Sequence, residues 1–562
     1  MADGVTTGQA SARALTFFWL ALLLAAGAYL RVHGVSDYYY SFDEMSDVMI
    51  AKGLNASEVM AFAKYETHPA YPHVLRHLQM MISDAPGFLR GASALFGLLC
   101  IPAYYLLGRQ MGGRLAGCAA AFLVTFGYGS VILSQVVRNY TLLALFLALA
   151  FYCCRAFLES GKASWLCGYM AACLLGLMTH YSAFFALTCM GAAGFVELLA
   201  RRKGAKLLIG WMAANAALAL YFAYVYATEI HNNPYQAMFA ISDKVALESP
   251  PYNTLAFREQ IFIAYPLALV SFFLYSDFQN QLNFPCVILF LLAMVYLFRA
   301  RERGLFYETL LALVLGGALL AANIYPYAFR IAGRHATWAL PYVILPVSLF
   351  IAFCLRRFGE QMPKLRNPAV MALIACACVA GGVAADTTGA FFRDPREYQI
   401  SNEDAAKMKA FLAGLAPNDV IVTGGLNMMY LLPDGLNYYD EVSHVQPGQW
   451  YFKTTDGTSP VIYTLHFPPI SEGRALSLRD YAQRLNTAGE FAGKQRIWFF
   501  RTLGDTVSIA PLMDCKAAGI ERFTLQGVSG PGAPLVQMAG VPREAMLNLI
   551  LPPDGAYASC LP

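Results

Sequence analysis

The stretch Tyr38 to Val48 (YYYSFDEMSDV) places two adjacent carboxylates, Asp43 and Glu44, directly after the first long apolar run of the chain. A carboxylate can act as a general base that takes the proton from a reacting hydroxyl group. Two neighbouring carboxylates titrate as a coupled pair, so that one can hold a proton while the other is ionised. Ionisable residues at a membrane edge are functional by default. We therefore predict Asp43 as a general base and Glu44 as the residue that tunes or orients it.

Cationic residues that suit phosphate chemistry lie in two later segments. LSQVVRNYTLL contains Arg138 and Tyr140, and NIYPYAFRIAGRHATW contains Arg330, Arg334 and His335. Arginine binds phosphate oxygens through two parallel hydrogen bonds, and positively charged groups stabilise a departing phosphate. We interpret these five residues as a phosphate-binding set. The alternative for each arginine is that it only extends towards lipid headgroups.

Further candidates for substrate binding are Tyr40, Glu66, His68, Tyr71 and His180. Tyrosine near a membrane surface often belongs to the aromatic belt, and a single histidine is often a hydrogen-bonded helix terminus. Glu66, His68 and His180 together offer the oxygen and nitrogen atoms that a divalent metal ion binds. No other cofactor is expected.

The elements that must position these residues are membrane-spanning helices. Hydrophobic residues make up 58% of the 562 residues and charged residues only 14%, and the mean hydropathy is +0.47. Such values are typical of a polytopic membrane protein. Eleven apolar runs are predicted to cross the membrane, near 15–33, 86–107, 115–135, 140–158, 163–179, 181–200, 207–227, 283–298, 305–322, 337–355 and 367–385.

Lys and Arg residues predict the orientation of these spans. Five short loops, at 108–114, 155–164, 201–206, 299–304 and 356–366, contain fifteen of them. All five loops fall on one side, which the positive-inside rule makes cytoplasmic. The amino terminus is then cytoplasmic, whereas the loops 34–85 and 228–282 and everything after residue 385 are outside. The apolar run 261–275 would break this alternation if it crossed, so we interpret it as interfacial or re-entrant.

The chain changes character after residue 385. Residues 386–562 contain 14 Lys or Arg and 18 Asp or Glu, which leaves a net charge of +8 on residues 1–385. Strand-like runs at 419–425, 460–467 and 496–502 alternate with helical patterns at 403–415 and 477–485. This alternation predicts a soluble α/β domain outside the membrane. Its two cysteines, Cys515 and Cys560, are predicted to form a disulfide in an oxidising compartment.

Five motifs together resemble a known family. They are FDE (42–44), THPAY (67–71), SQVVRNY (134–140), THY (179–181) and GRHATWALPYVILP (333–346). Their order and spacing over residues 15–385 resemble the GT-C membrane glycosyltransferases of the family 39 type. That family includes protein O-mannosyltransferases, aminoarabinose transferases acting on lipid A, and bacterial core-sugar transferases.

The resemblance implies transfer of a sugar, with inversion, from a polyprenyl-phosphate donor. It implies that Asp43 is the base and that Arg138 binds the lipid phosphate. The chain departs from the family pattern where Val136 and Val137 replace an acidic and a small residue, where Ala70 replaces a proline, and where His335 follows Arg334 in place of tyrosine. These departures leave the sugar and the use of a metal open.

The expected protein is therefore a multi-pass protein of a bacterial inner membrane, residues 1–385, with a C-terminal domain, residues 386–562, on the periplasmic or extracellular side. Its expected partners are membrane lipids, a polyprenyl-phosphate sugar, and an envelope glycan, lipid or protein acceptor. No nucleic acid is expected. Three alternatives stay open: a ligase that transfers a whole glycan, a secondary transporter, and a non-catalytic lipid-binding or assembly protein, which would not need Asp43. A transporter would place its charged sites near the bilayer midplane.

Overall fold

A computed structural model of the chain describes most of its helices and the strands of its C-terminal part. The described residues are 2–40, 44, 47–48, 51, 56–63, 68–231, 265–274, 284–300, 303–321, 332–361, 368–387, 402–416, 418–423, 451–452, 461–465, 470–471, 474–475, 485, 487–493, 496–502, 521–526 and 534–542. The chain folds as two compact units. The first contains Met1–Val35 and Ser57–Arg393, and the second contains Ser36–Ala56 and Asp394–Pro562.

Helices account for nearly all of the described chain up to residue 387. They are α1 (Ala2–Val32), α2 (Ala56–Ala63), α3 (Ala70–Met80), α4 (Pro86–Phe126), α5 (Tyr128–Ile132), α6 (Tyr140–Ser160), α7 (Ala163–Thr179), α8 (Ala183–Ala200), α9 (Ala205–Val225), a π-helical turn (Tyr226–Ile230), α10 (Tyr265–Leu274), α11 (Phe284–Arg299), α12 (Arg303–Ala321), a 3₁₀ helix (Ala332–Ala339), α13 (Leu340–Gln361) and α14 (Pro368–Thr387). Each of the eleven predicted spans overlaps a described helix or helix arm. Among the described helices, six are long and apolar enough to cross a membrane.

Helix α4 is two antiparallel arms. Gly113 breaks the helical conformation with a φ of 79°, a value that favours glycine. A side chain added at Gly117 would lie 2.6 Å from the carbonyl oxygen of Tyr105, so the arms approach through glycine. Close helix contact through small residues is typical of membrane proteins, where van der Waals packing drives helix association. The predicted loop at 108–114 is therefore the turn between two spans.

The second arm is shorter than its sequence predicts. A span over 115–135 is wrong at its end, because the helix stops at Phe126 and Gly127 is extended. The reason is the close approach of α10, since a side chain at Gly127 would lie 2.4 Å from the carbonyl oxygen of Phe273. Residues 127–139 instead form the short helix α5 and a series of turns that end at the first residue of α6.

Helix α10 corresponds to the apolar run 261–275. Its ten residues span about 15 Å at ~1.5 Å per residue, half of a bilayer core of ~30 Å. Its residues Val270 and Phe273 are buried, and the helix packs against α11, α13 and α5. The interpretation of the run 261–275 as interfacial or re-entrant stays a prediction.

Arg155 is not a loop residue, as the run 155–164 suggests, but lies inside α6. Its guanidinium group forms ion pairs with Glu308 of α12 and with Glu197 of α8, the latter at 2.9 Å. Arg201 pairs with the same Glu197 at 2.6 Å. The charge of Arg155 is therefore neutralised within the bundle. It contributes less to the positive charge of the predicted cytoplasmic loops than its sequence position indicates.

The second unit contains a mixed sheet. Its described elements are α15 (Asn402–Ala413), β1 (Asp419–Thr423), β2 (Tyr451–Phe452), β3 (Val461–Leu465), β4 (Ile470–Ser471), β5 (Arg474–Ala475), β6 (Arg496–Thr502), β7 (Glu521–Gln526) and β8 (Pro534–Pro542). The strand order is β2-β3-β1-β6-β8-β7, with β3, β1 and β6 parallel and the outer strands antiparallel to their neighbours. The predicted strands and the helix at 403–415 are present, whereas a helix over 477–485 falls largely outside the described residues.

Residues 36–56, part of the predicted first loop, fold with this second unit. The side-chain amide of Asn402 donates a hydrogen bond to the carbonyl oxygen of Ser36, and the Lys409 ammonium lies 5.3 Å from the centre of the Tyr39 ring. The eleven cysteines of the described residues are free thiols, most of them in the helices of the first unit. Cys515 and Cys560 lie outside the described residues, so their disulfide stays a prediction.

Candidate active site

Four of the predicted site residues, His68, Arg138, Tyr140 and His180, lie together where α6 begins and α7 ends. The side-chain amide of Asn139 donates to the carbonyl oxygen of Thr179, which fixes these two helix ends together. The other end of α6 lies about 31 Å away, at ~1.5 Å per residue. There, Lys203 donates to the carbonyl oxygen of Glu159 among the basic loops. The site and the basic loops therefore occupy opposite ends of the bundle, and the positive-inside rule predicts that the site end is extracytoplasmic.

Three rings form the centre of the site. The rings of His68 and His180 meet edge to face with their centres 4.9 Å apart, and the Tyr140 ring lies 5.5 Å from His180 and 6.3 Å from His68. All three side chains are buried. His68 precedes α3, Tyr140 begins α6 and His180 follows α7, so three segments distant in sequence contribute one ring each.

His180 is a neutral hydrogen-bond donor. Its Nδ1 accepts a hydrogen bond from the backbone N–H of Ser182 at 3.1 Å, and the Ser182 hydroxyl lies 2.8 Å from the same atom. Because Nδ1 accepts, we assign the imidazole proton to Nε2. Nε2 is buried and has no hydrogen-bond partner among the described residues. The site therefore contains an N–H group that is available to a ligand.

The electrostatic surroundings keep this imidazole neutral. Burial lowers the pKa of His180 well below its ordinary value of 6.5, and electrostatic interaction with His68 and Arg138 lowers it further. Arg138 itself is only 8% exposed. A positive charge with little water around it attracts an anion more strongly than the same charge at a wet surface. The arrangement suits a phosphate group.

The residue that follows His180 forms a hydrogen bond to the segment after α9. The hydroxyl group of Tyr181 donates to a carboxylate oxygen of Glu229 at 2.6 Å. Glu229 lies in the π-helical turn after α9, and such turns are frequent at functional sites. The sequence signal for this pair is weak, because the two residues are 48 positions apart.

Two arginines of the site end were missed from the sequence. Arg31 is completely buried at the end of α1 and donates to the carbonyl oxygens of Val124 at 2.8 Å and Thr125 at 3.3 Å. These carbonyls end the second arm of α4, where a positive charge is favoured. Arg90 is also buried and donates to the carbonyl oxygen of Val35 at 2.7 Å. An arginine within an apolar run, as in GAYLRV, is the signal that could have identified Arg31.

The remaining predicted residues divide by what is described. Asp43, Glu66 and Arg330 lie outside the described residues, and only the backbone of Arg334 and His335 is described, in the 3₁₀ helix. Tyr71 is half-buried at the start of α3. In the second unit, Tyr40 and Glu44 are buried, and so is Asp47, a third acid of the same stretch that the sequence interpretation did not use. The roles of all these residues stay predictions.

The predicted metal site was to be formed by Glu66, His68 and His180. Within the described part of the chain, no group of three or more His, Cys, Asp or Glu side chains is placed to hold a metal ion. Ser182 donates to Nδ1 of His180, so the proton sits on Nε2, and a protonated nitrogen has no lone pair for a metal. A metal ion at Nε2 would have to displace this proton, and because Glu66 lies outside the described residues, the site of Glu66, His68 and His180 stays a prediction.

Comparison with known proteins identifies a related family. Residues 79–280 match the family model described as dolichyl-phosphate-mannose-protein mannosyltransferase. No curated protein sequence matches the chain. The part of the chain that matches the family model, residues 79–280, contains Arg138, Tyr140 and His180, three of the predicted site residues.

The chain is similar to several solved structures. The crystal structure of ArnT from Cupriavidus metallidurans in the apo state has a TM-score of 0.52 at 12% identity, over 93% of this chain and 97% of that chain. The same protein bound to undecaprenyl phosphate has a TM-score of 0.49 at 12% identity, over 93% and 98%. The S. cerevisiae Pmt1-Pmt2 complex bound to the sugar donor has a TM-score of 0.30 at 17% identity, and the match covers 38% of this chain and only 34% of the yeast chain. As its motifs predict, the chain is a multi-pass membrane protein with the GT-C fold of membrane glycosyltransferases.

Proposed function

We propose that this protein transfers a sugar from a polyprenyl-phosphate donor to a hydroxyl group of an extracytoplasmic acceptor, with inversion at the anomeric carbon. The observation that carries the proposal is the buried group of His180, Tyr140 and His68 beside the charge of Arg138. The family that matches residues 79–280 is named for a sugar on a dolichyl phosphate, which is the same class of donor.

Arg138 and His180 bind the donor phosphate in this proposal. The guanidinium group provides charge and paired N–H donors, and Nε2–H of His180 provides a neutral donor. As the bond between the anomeric carbon and the phosphate oxygen breaks, negative charge grows on the phosphate. Donors that are already fixed in a dry site stabilise this charge without reorganising. Tyr140, Arg330, Arg334 and His335 are further donors in the predicted set.

Asp43 is the general base of the proposed reaction. It takes the proton from the acceptor hydroxyl while that oxygen attacks the anomeric carbon, and polyprenyl phosphate leaves on the opposite side. Glu44, which is fully buried, tunes the charge of Asp43 as its coupled neighbour. Tyr40 and Tyr71 bind the sugar or the acceptor. A base at this position is what the family resemblance of FDE implies.

Purified protein in detergent, given radiolabelled polyprenyl-phosphate mannose and other polyprenyl-phosphate sugars, tests the proposal. We expect Asp43→Asn to lower kcat by about 10²–10⁴-fold, the usual cost of losing a positioned base. Arg138→Gln should weaken donor binding and slow transfer. A change of twofold or less with Asp43→Asn would remove it as the base.

His180 allows a matched pair of variants. In His180→Gln the side-chain amide reaches roughly the position of Nε2, whereas in His180→Asn it reaches only that of Nδ1. If Nε2–H binds the phosphate, His180→Gln retains more activity than His180→Asn. Equal activity of the two variants would assign the histidine a packing role. The mass of the product separates transfer of one sugar from transfer of a whole glycan.

A further inference from the structure

The segment that carries Arg138 is seated on one face of the first arm of α4. The Ser93 hydroxyl donates to the carbonyl oxygen of Arg138 at 2.8 Å, and the Thr141 hydroxyl donates back to the carbonyl oxygen of Ser93 at 3.0 Å. The Cys100 thiol contacts the carbonyl oxygen of Thr141 at 3.6 Å. These side chains are almost completely buried. Two reciprocal hydrogen bonds therefore bracket Arg138 and the first residues of α6.

The absence of a side chain at Gly97 allows the segment that contains Ser134 to approach α4 closely. Gly97 lies between Ser93 and Cys100 on the same helix face, since residues four and three positions apart are neighbours on a helix surface. A side chain at Gly97 would lie 2.1 Å from the hydroxyl oxygen and 2.9 Å from the Cβ of Ser134. Ser134 is completely buried and donates to the carbonyl oxygen of Ser130 at 2.5 Å. Because the Cβ atom of Ser134 moves only with its backbone, a side chain at Gly97 would displace the backbone of Ser134.

Two other helices hold the same segment. The Gln135 amide donates to the carbonyl oxygen of Leu30 in α1 at 2.6 Å, and the Asn139 amide donates to the end of α7. The Arg138 amide donates to the carbonyl oxygen of Val136 at 2.8 Å, so both peptide groups of Arg138 are bonded. The backbone from which the guanidinium group extends is therefore fixed by α1, α4 and α7.

We propose that Ser93 and Gly97 are positioning residues for Arg138 in the transfer reaction. The inference rests on the proposed function, in which Arg138 binds the donor phosphate. The guanidinium group of Arg138 can contact the donor phosphate correctly only if the backbone that carries it is correctly placed. A displacement of about 1 Å at a reacting group costs up to about 100-fold in rate. We therefore expect substitutions at Ser93 and Gly97 to slow the transfer reaction by displacing Arg138.

Two pairs of variants test the inference in purified protein with polyprenyl-phosphate mannose as donor. Gly97→Ala is compared with Gly91→Ala, in the same helix arm, where an added side chain meets nothing within 4 Å. Both substitutions replace glycine by alanine in a helix, so the difference reports the contacts of the added side chain at position 97, with Ser134 and with Nε of Arg31 at 3.0 Å. Ser93→Ala is compared with Ser93→Thr, which keeps the hydroxyl group.

We expect Gly97→Ala and Ser93→Ala to lower kcat/KM for the donor about 10- to 100-fold, with the KM for the acceptor unchanged. Gly91→Ala and Ser93→Thr should stay within about threefold of the unmodified protein. In an Arg138→Gln background, Ser93→Ala should have little further effect on the residual activity, because the charge that Ser93 positions is already absent.

The outcomes separate this inference from the proposed function. If Arg138→Gln is fully active, the phosphate role of Arg138 is wrong and the inference falls with it. If Arg138→Gln is inactive while Ser93→Ala and Gly97→Ala match their controls, only the positioning inference is overturned. If Gly97→Ala does not fold, the Ser93 pair decides alone. Equal increases in the KM values for donor and acceptor would indicate a general structural role and overturn the positioning inference.

Discussion

Removal of the buried charge cluster at the basic end of the bundle should cost far more stability than removal of an exposed ion pair. Arg155 pairs with Glu308 and Glu197, and its side chain is 12% exposed while that of Glu308 is 1% exposed. The control pair, Arg357 with Glu360, is 3.3 Å apart, and its side chains are 67% and 56% exposed.

Removing one partner of a buried ion pair costs about 3–5 kcal/mol, because the other charge stays buried without compensation. Arg155→Met leaves Glu308 without its cation, so we expect the upper part of this range. Glu308→Gln should cost less, since Arg155 keeps Glu197 at 2.9 Å. Glu360→Gln should cost ~0–1 kcal/mol, the usual contribution of an exposed pair.

The assay is unfolding of purified protein by titration of sodium dodecyl sulfate into mild detergent, followed by fluorescence. A double variant, Arg155→Met with Glu308→Leu, removes both charges and should be more stable than Arg155→Met alone. The reasoning is refuted if Arg155→Met and Glu360→Gln have equal unfolding midpoints. It is also refuted if the double variant loses the sum of the single losses.

Two further predictions concern the site end and the turn of α4. Because His180 is neutral when folded and its ordinary pKa is 6.5, the unfolded chain binds the extra proton below about pH 6.5, so His180 lowers stability as the pH falls through this value and has no such effect above it. The unfolding midpoint should fall less between pH 7.5 and 5 in His180→Gln than in the unmodified protein, and parallel curves would contradict the assignment. Gly113→Ala should destabilise the protein by about 1 kcal/mol or more because its φ is 79°, whereas Gly91→Ala, also free of contacts, should be neutral or slightly stabilising; equal unfolding midpoints would argue against strain at Gly113.

The predicted phosphate and substrate residues divide into those whose side chains the structure describes and those, such as Asp43, Glu66 and Arg330, that lie outside the described residues. Arg138, Tyr140, His68 and His180 come from three separate motifs, and the rings of the last three meet within 6.3 Å beside Arg138. Residue type and motif position selected four side chains that the structure brings into one region, and their roles stay predictions. The protonation of His180 was not predictable, because it depends on an N–H group of Ser182 and on burial.

The sequence by itself determined that this is a multi-pass membrane protein, where its helices lie, and which family its motifs resemble. Hydropathy is a property of each segment, and a helix in lipid satisfies its backbone hydrogen bonds within itself, so its position can be predicted without its neighbours. Only the tertiary structure decided that Arg155 pairs with Glu308, 153 residues away, and that Ser93 and Gly97 seat the segment of Arg138. These contacts depend on the rotation and register of packed helices, which arise from close contact between side chains far apart in the chain.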